Sequence, residues 1–197
     1  MSTVSAAATP GTVLADVVFP ARRVLARDTA LVIGGAVLTG LAAQISVPVP
    51  GSPVPVTGQT FAALLVGTSL GARRGFLSLA LYTLVGMAGV PWFAEGSSGA
   101  AMPSFGYVLG MLLAATVVGA FARRGGDRGV LRTAGTMVVG SAVTYAVGVP
   151  YLALATHISL SEAIAAGLTP FLIGDALKAA LAMGALPAAW KLVGRRG

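Results

Sequence analysis

The sequence predicts an all-α, polytopic membrane protein with six transmembrane helices and both termini on the cytoplasmic side. Three observations carry that prediction. Hydrophobic residues make up 56% of the 197-residue chain and charged residues only 10%, against roughly 25% charged in an ordinary soluble domain. The mean hydropathy is +0.87, a value that fits a chain solvated by lipid rather than a two-layer soluble fold. The apolar residues also fall into runs separated by short polar stretches, and at about 20 residues per span a chain of this length holds roughly six.

Residues 1–28 are small and polar, carry Pro10, Gly11 and Pro20, and end in Arg22, Arg23 and Arg27. They lack the basic start and long apolar run of a signal peptide, so they read as a cytoplasmic N-terminal segment. A six-helix domain follows over 29–192, and 193–197 form a basic cytoplasmic tail. The spans are expected over 29–45, 55–70, 74–90, 104–121, 131–150 and 168–192, the second of them short. Glycine and proline inside these runs fit membrane helices, where neighbouring helices re-satisfy the backbone.

The connections differ in character. The first holds Pro48, Pro50, Pro53 and Pro55, which makes it stiff and extended. That loop and the glycine-rich stretch 90–99 read either as lids over a ligand or as plain turns. Small residues recur four apart at Ala26, Ala30 and Gly34 and at Gly67, Gly71 and Gly75. Such stripes allow close backbone approach, within the chain or to a partner helix.

Orientation follows from the basic residues, which accumulate on the cytoplasmic side. Arg22, Arg23 and Arg27, then Arg73 and Arg74, then Arg123, Arg124, Arg128 and Arg132, and finally Lys191, Arg195 and Arg196 all fall on one side of the alternating spans. The opposite connections, 46–54, 91–103 and 151–167, hold no Lys or Arg, only Glu95, Glu162 and His157. The net charge of +7 therefore reads as a topology signal, not as a nucleic-acid or lipid-headgroup site.

The remaining composition removes several chemistries. There is no Cys and a single His, His157, so thiolate sites and a multi-His zinc site are out of reach. Neither G-x-x-x-x-G-K-[ST] nor G-x-G occurs, so no phosphate loop or dinucleotide fingerprint is present. Energised work would need another chain to hydrolyse the nucleotide.

One cation is left over. Lys178 lies inside the last span, three residues after Asp175, and residues i and i+3 share a helix face. Counted from Leu168, Asp175 would lie roughly 10 Å and Lys178 roughly 15 Å below the outer end, near the midplane. A charge there costs about 2.5 to 3.5 kcal/mol even on the lenient insertion scale. A self-compensating pair that fixes packing is one reading, although apolar residues would pack as well or better. A proton relay is another, but it would want further ionisable residues along the path. A ligand presenting N–H beside C=O, as in a urea or lactam, matches a carboxylate acceptor next to an ammonium donor. Tyr82, Trp92, Phe93 and Tyr107 are the aromatic candidates to pack on such a ligand, with interfacial anchoring the alternative for Trp92 and Tyr107.

The motifs P-V-P-V-T-G-Q-T (53–60), L-G-A-R-R-G (70–75), A-L-Y-T-L-V-G-M-A-G-V-P-W-F-A (80–94), F-G-Y-V-L-G (105–110) and L-T-P-F-L-I-G-D-A-L-K-A (168–179) occur in the order found in the BioY family. The sequence resembles a biotin-transporter substrate-binding subunit from about Leu31 to Leu186. The resemblance implies an S component of an energy-coupling-factor importer in the bacterial plasma membrane. Such a subunit binds biotin outside and passes it inward with two ATPases and a membrane coupling subunit, without a cofactor and without being an enzyme. It implies that Asp175 and Lys178 hold the ureido ring, and Gln59, inside the first motif, joins the candidate biotin contacts. It further implies docking through small residues of the first helix, here Ala26, Ala30 and Gly34, with Ala36 and Gly40 as a second register. An S component for another small vitamin is the nearest alternative. An intramembrane enzyme using Asp175 is the alternative of a different class, and it lacks a paired nucleophile or metal cluster.

Overall fold

The computed structural model describes residues 11–20 and 23–194; Arg22, Arg195 and Arg196 of the expected basic set lie outside the described residues. A short helix α1 (Leu14–Val18) leads into α2 (Val24–Ala43), a hairpin of β1 (Ser46–Val47) and β2 (Val56–Thr57), then α3 (Gln59–Leu70) and α4 (Ala72–Met87). Next come α5 (Phe105–Arg123), α6 (Val130–Thr156), α7 (Leu160–Gly167) and α8 (Leu172–Gly194). Among the described residues, three helices are long and apolar enough to cross a membrane, Val24–Ala43, Phe105–Arg123 and Val130–Thr156, and the stretch Leu160–Gly194 is a fourth. With 12 and 16 residues, α3 and α4 reach only ~18 and ~24 Å.

Helix α5 is central, packed on α3, α4 and α6, while α2 lies on α4 and α3, and α8 lies on α6. Small residues set the spacing. A Cβ on Gly67 would overlap the Ala115 carbonyl of α5, and one on Gly75 would sit 3.0 Å from the Gly67 Cα. Gly71, at φ +83, makes the turn between α3 and α4, a conformation that favours glycine. The stripe Gly67, Gly71, Gly75 is therefore used inside the fold and is not a free docking face.

The structure corrects the expected boundaries in three places. The N-terminal segment does not end at residue 28: α2 starts at Val24, and Val13 and Ala15 of the preceding stretch are buried. The segment is tied down because Arg74, also buried, donates to Asp16 at 2.6 Å and Asp28 at 3.3 Å. Second, the helix expected to end at Pro150 runs on to Thr156, and 151–167 is no plain loop, since α7 fills half of it. Ser159 and Glu162 form the reciprocal cap of α7: the Ser159 hydroxyl accepts the Glu162 N–H, and the Ser159 N–H donates back to the Glu162 carboxylate at 2.8 Å. Third, Pro170 lies in a 3₁₀ turn, Thr169–Phe171, so α8 starts only at Leu172. Asp175 then falls in the first turn and Lys178 in the second, ~4.5 and ~9 Å along the helix.

The described arginines and Lys191 gather at one end, called here the basic end; the hairpin marks the loop end. At the basic end the Trp190 indole N–H donates to Asp127 at 2.8 Å, and Arg128 lies 4.6 Å above the Trp190 ring. Burial pushes the Asp127 carboxyl above the usual carboxylate range, opposed by the Trp190 hydrogen bond and the Arg128 charge.

Candidate ligand-binding site

At the loop end a partly enclosed cleft opens between the hairpin and the starts of α3, α5 and α8. Its roof comes from the proline-rich connection, through Val54, Pro55 and Thr57, and from Ala94 of the second loop. Ser46 pairs with Thr57 and Val47 with Val56, so the hairpin fixes the roof. Gln59, Thr60 and Leu64 of α3, Ser104 just before α5 and Tyr107 within it line the walls. The floor is Ser141, Thr144 and Tyr145 of α6 with Phe171, Asp175 and Lys178.

Asp175 and Lys178 both line this cleft, and their pairing is loose. The Lys178 Nζ stands 3.4 Å from the Asp175 carboxylate but donates to the Thr60 hydroxyl at 2.7 Å, whereas a tight ammonium–carboxylate contact is about 2.7 to 2.9 Å. The Tyr145 hydroxyl donates to the other carboxylate oxygen. An ammonium has three donors and a carboxylate about four acceptor sites, so both groups keep unused valences toward the cleft. A packing device would close on itself; this pair stays open to a third partner.

Two aromatic residues frame the floor. The Tyr107 and Tyr145 rings meet edge to face, 6.3 Å apart and at 86°, and the Tyr107 hydroxyl donates to the Gly167 carbonyl at 2.7 Å. Of the expected site residues, the cleft brings together Asp175, Lys178, Tyr107 and Gln59. It does not bring in Tyr82, Trp92 or Phe93. Tyr82, fully buried, donates to the Gln59 carbonyl oxygen at 2.7 Å. Trp92 lies over Gly40 of α2 and donates its indole N–H to the Tyr82 carbonyl at 3.0 Å. Phe93 fills the space left by Gly86. These three rings back the wall rather than face the cavity, because α2 and α4 offer them glycine-lined room. Sequence reasoning missed Tyr145, Thr60, Ser141, Thr144 and Phe171.

The first helix divides its small residues. Ala26, Ala30 and Gly34 are exposed, and nothing lies within 4 Å of a Cβ placed on Gly34. Ala36 and Gly40 are buried, the latter under Trp92. The second register is therefore occupied by this chain's own packing. Among the described residues no group of three or more His, Cys, Asp or Glu could hold a metal ion.

Comparison with known proteins adds three findings. The family model described as "BioY family" matches residues 12–195, a wider reach than the motifs alone indicate. "Biotin transporter BioY" of Thermotoga maritima is 35% identical over 78% of this chain and 86% of its own length. "Biotin transporter BioY2" of Lactococcus lactis subsp. cremoris is 34% identical over 77% of this chain and 83% of its own. Among solved structures, the S-component for biotin from an ECF-type ABC transporter superposes with a TM-score of 0.75 at 20% identity, covering 89% of this chain and 93% of that one. That likeness concerns the fold; the family match and the four apolar stretches long enough to cross a membrane mark a multi-pass membrane protein.

Proposed function

As the chain belongs to the BioY family, we propose that it is the biotin-binding membrane subunit of a vitamin importer, not an enzyme. It captures biotin in the loop-end cleft and passes it inward with a coupling module of two ATPases and a membrane subunit. The observation that carries this reading is the open Asp175–Lys178 pair, whose spare acceptor and donor suit a ureido ring. Tyr107 and Phe171 supply the aromatic surface for the fused rings, Tyr145 and Thr60 hold the two charged groups, and Gln59 completes the polar wall. In this reading α2, α3, α4, α5, α6 and α8 are six spans of the bacterial plasma membrane, with both termini cytoplasmic at the basic end and no nucleic-acid partner.

The coupling subunit docks on the exposed stripe Ala26, Ala30 and Gly34. Ala30 and Gly34 also border an apolar groove shared with α3 and α8, which supports a helix-sized contact there. Replacing Ala30 with Leu should abolish co-purification with the module and leave biotin affinity intact; an intact pull-down would move docking elsewhere.

Titrating the purified protein with biotin and with dethiobiotin tests the ligand. Dethiobiotin keeps the ureido ring without the sulfur ring, so both should bind and compete. Binding of neither would overturn the assignment and favour another small vitamin.

A further inference from the structure

Residues 11–20 lie outside every span of the proposed topology, yet they leave large apolar side chains uncovered. Val17 is 38% exposed, Val18 43% and Phe19 54%. A loose end could turn such side chains inward, but this segment is fixed. The Gly11 N–H donates to the Arg123 carbonyl and Arg128 donates to the Thr12 carbonyl, both at 3.2 Å. Val13 is fully buried beside Gly71, and Asp16 accepts from the buried Arg74 at 2.6 Å. The inward face of the segment is therefore in use, and Val17, Val18 and Phe19 are held facing out.

Their level is set by α2. An Arg27 guanidinium nitrogen donates to the Phe19 carbonyl at 3.4 Å, and Arg27 belongs to the first turn of α2. Phe19 thus lies within one arginine's reach of the turn where the span meets the membrane boundary. Leu25 in that turn is 83% exposed, and the outer face of α2 continues with the exposed Ile33, Val37 and Leu41, spaced as one side of a helix. Apolar exposure runs from that lipid-facing side to a neighbouring segment that spans nothing. Charge adds a second mark. Arg27 and Arg74 are taken up by Asp16 and Asp28, whereas Arg23, just before α2, is exposed and its guanidinium has no partner among the described residues. Apolar side chains beside a free cation are the pattern of segments that lie in the membrane interface and attract anionic headgroups. Lipid reaches this level whether or not another protein is bound, which favours the membrane over the coupling subunit as the occupant.

We propose that Val17, Val18, Phe19 and Leu25 form an interfacial membrane anchor at the basic end, with their side chains in the headgroup–acyl boundary and Arg23 on an anionic lipid phosphate. This rests on the reading of α2 as a membrane span and extends membrane contact to a segment outside any span. Lipid on one side and the Asp16–Arg74 pair on the other then hold α1 in place.

The chain has no cysteine, so one introduced Cys carries a single nitroxide label on the full-length protein, in vesicles of phosphatidylcholine with or without phosphatidylglycerol. Oxygen, which concentrates in lipid, and a nickel chelate, which stays in water, relax the label and report its depth. A label on Val17→Cys should be relaxed mainly by oxygen, at a shallower depth than one on Leu38→Cys, which is exposed well inside α2. Adding Phe19→Asp should move the Val17 label toward the chelate. Phosphatidylglycerol should deepen it, and Arg23→Gln should remove that shift. A Val17 label relaxed mainly by the chelate would overturn the proposal, and if the coupling module then shields it, the face belongs to that protein. No response to phosphatidylglycerol would overturn the headgroup contact. A Leu38 label reached by the chelate would mean that α2 is no span, a failure of the membrane reading itself and distinct from water at Val17 alone. Should Val17→Cys not fold, Val18→Cys gives the same readout.

Discussion

Charges are buried or half-buried at both ends of the helix bundle, and the two sets are completed differently. At the basic end every guanidinium nitrogen of Arg74 has an acceptor: Nε donates to the Leu70 carbonyl at 3.0 Å, Nη1 to Asp28 at 3.3 Å and Nη2 to Asp16 at 2.6 Å. Arg27 adds a second cation to the same carboxylates, 2.9 Å from Asp28 and 3.7 Å from Asp16. At the loop end Lys178 and Asp175 stand 3.4 Å apart, each leaning on a neutral hydroxyl, with valences left over inside a cavity. A network closed on itself holds helices together, while an open one waits for a ligand. The contrast teaches that a buried charge is informative about function only after its partners are counted.

The comparison is sharpest where one side is broken and the other is not. Arg74→Met removes the hub and leaves Asp16 and Asp28 to Arg27 alone. Breaking a buried pair costs about 3 to 5 kcal/mol, and because the two carboxylates keep 27% and 31% of their side-chain surface exposed, the low end applies. The melting temperature should fall clearly while the folded protein keeps its biotin affinity. If biotin binding were lost at unchanged stability, the basic end would be part of the site.

Lys178→Met breaks the open set. Loss of a charged hydrogen bond of about 1.5 to 3 kcal/mol predicts a 10- to 150-fold weaker biotin affinity by calorimetry. The melting temperature should drop less than in Arg74→Met. Tyr145→Phe sharpens the same point, since it keeps the ring against Tyr107 and removes only the hydroxyl that holds Asp175. A loss of about 1 kcal/mol, or roughly fivefold in affinity, is expected. The smallest effect belongs to Trp92→Phe. Trp92 sits over Gly40 and off the cavity, so affinity should stay within about threefold, a change below ~0.7 kcal/mol. A larger loss would bring Trp92 back into the site.

Which parts of this were legible in the sequence follows from how local each signal is. Asp175 and Lys178 stand out because two charges in an apolar run need no tertiary knowledge to be conspicuous. The long spans were legible for the same reason, as continuous runs. The cap of α7 was also local: Ser159 and Glu162 have the S-x-x-E spacing of a capping box, but a stretch without Lys or Arg drew attention to orientation instead. Arg74 reads as a topology signal until Asp16, 58 residues earlier, is brought against it. The partners Thr60 and Tyr145 lie 118 and 30 residues from the groups they hold, and scattered hydroxyls in apolar helices carry no mark of which face they occupy. Trp92 and Phe93 read as ligand contacts because aromatic residues at a loop mouth commonly are. The room that drew them inward was made by Gly40 and Gly86 on other elements, and that room is a property of helix packing.

Asp175 is either a ligand group or a structural one, and one pair of measurements separates the two. Wild type and Asp175→Asn, purified side by side, should be titrated with biotin by calorimetry and melted without ligand. Asparagine keeps the size and an acceptor for Tyr145 while removing the charge, so affinity should fall by about 10- to 150-fold with little change in melting temperature. Unchanged affinity in a protein that melts several degrees lower would contradict the account and return the pair to a packing role.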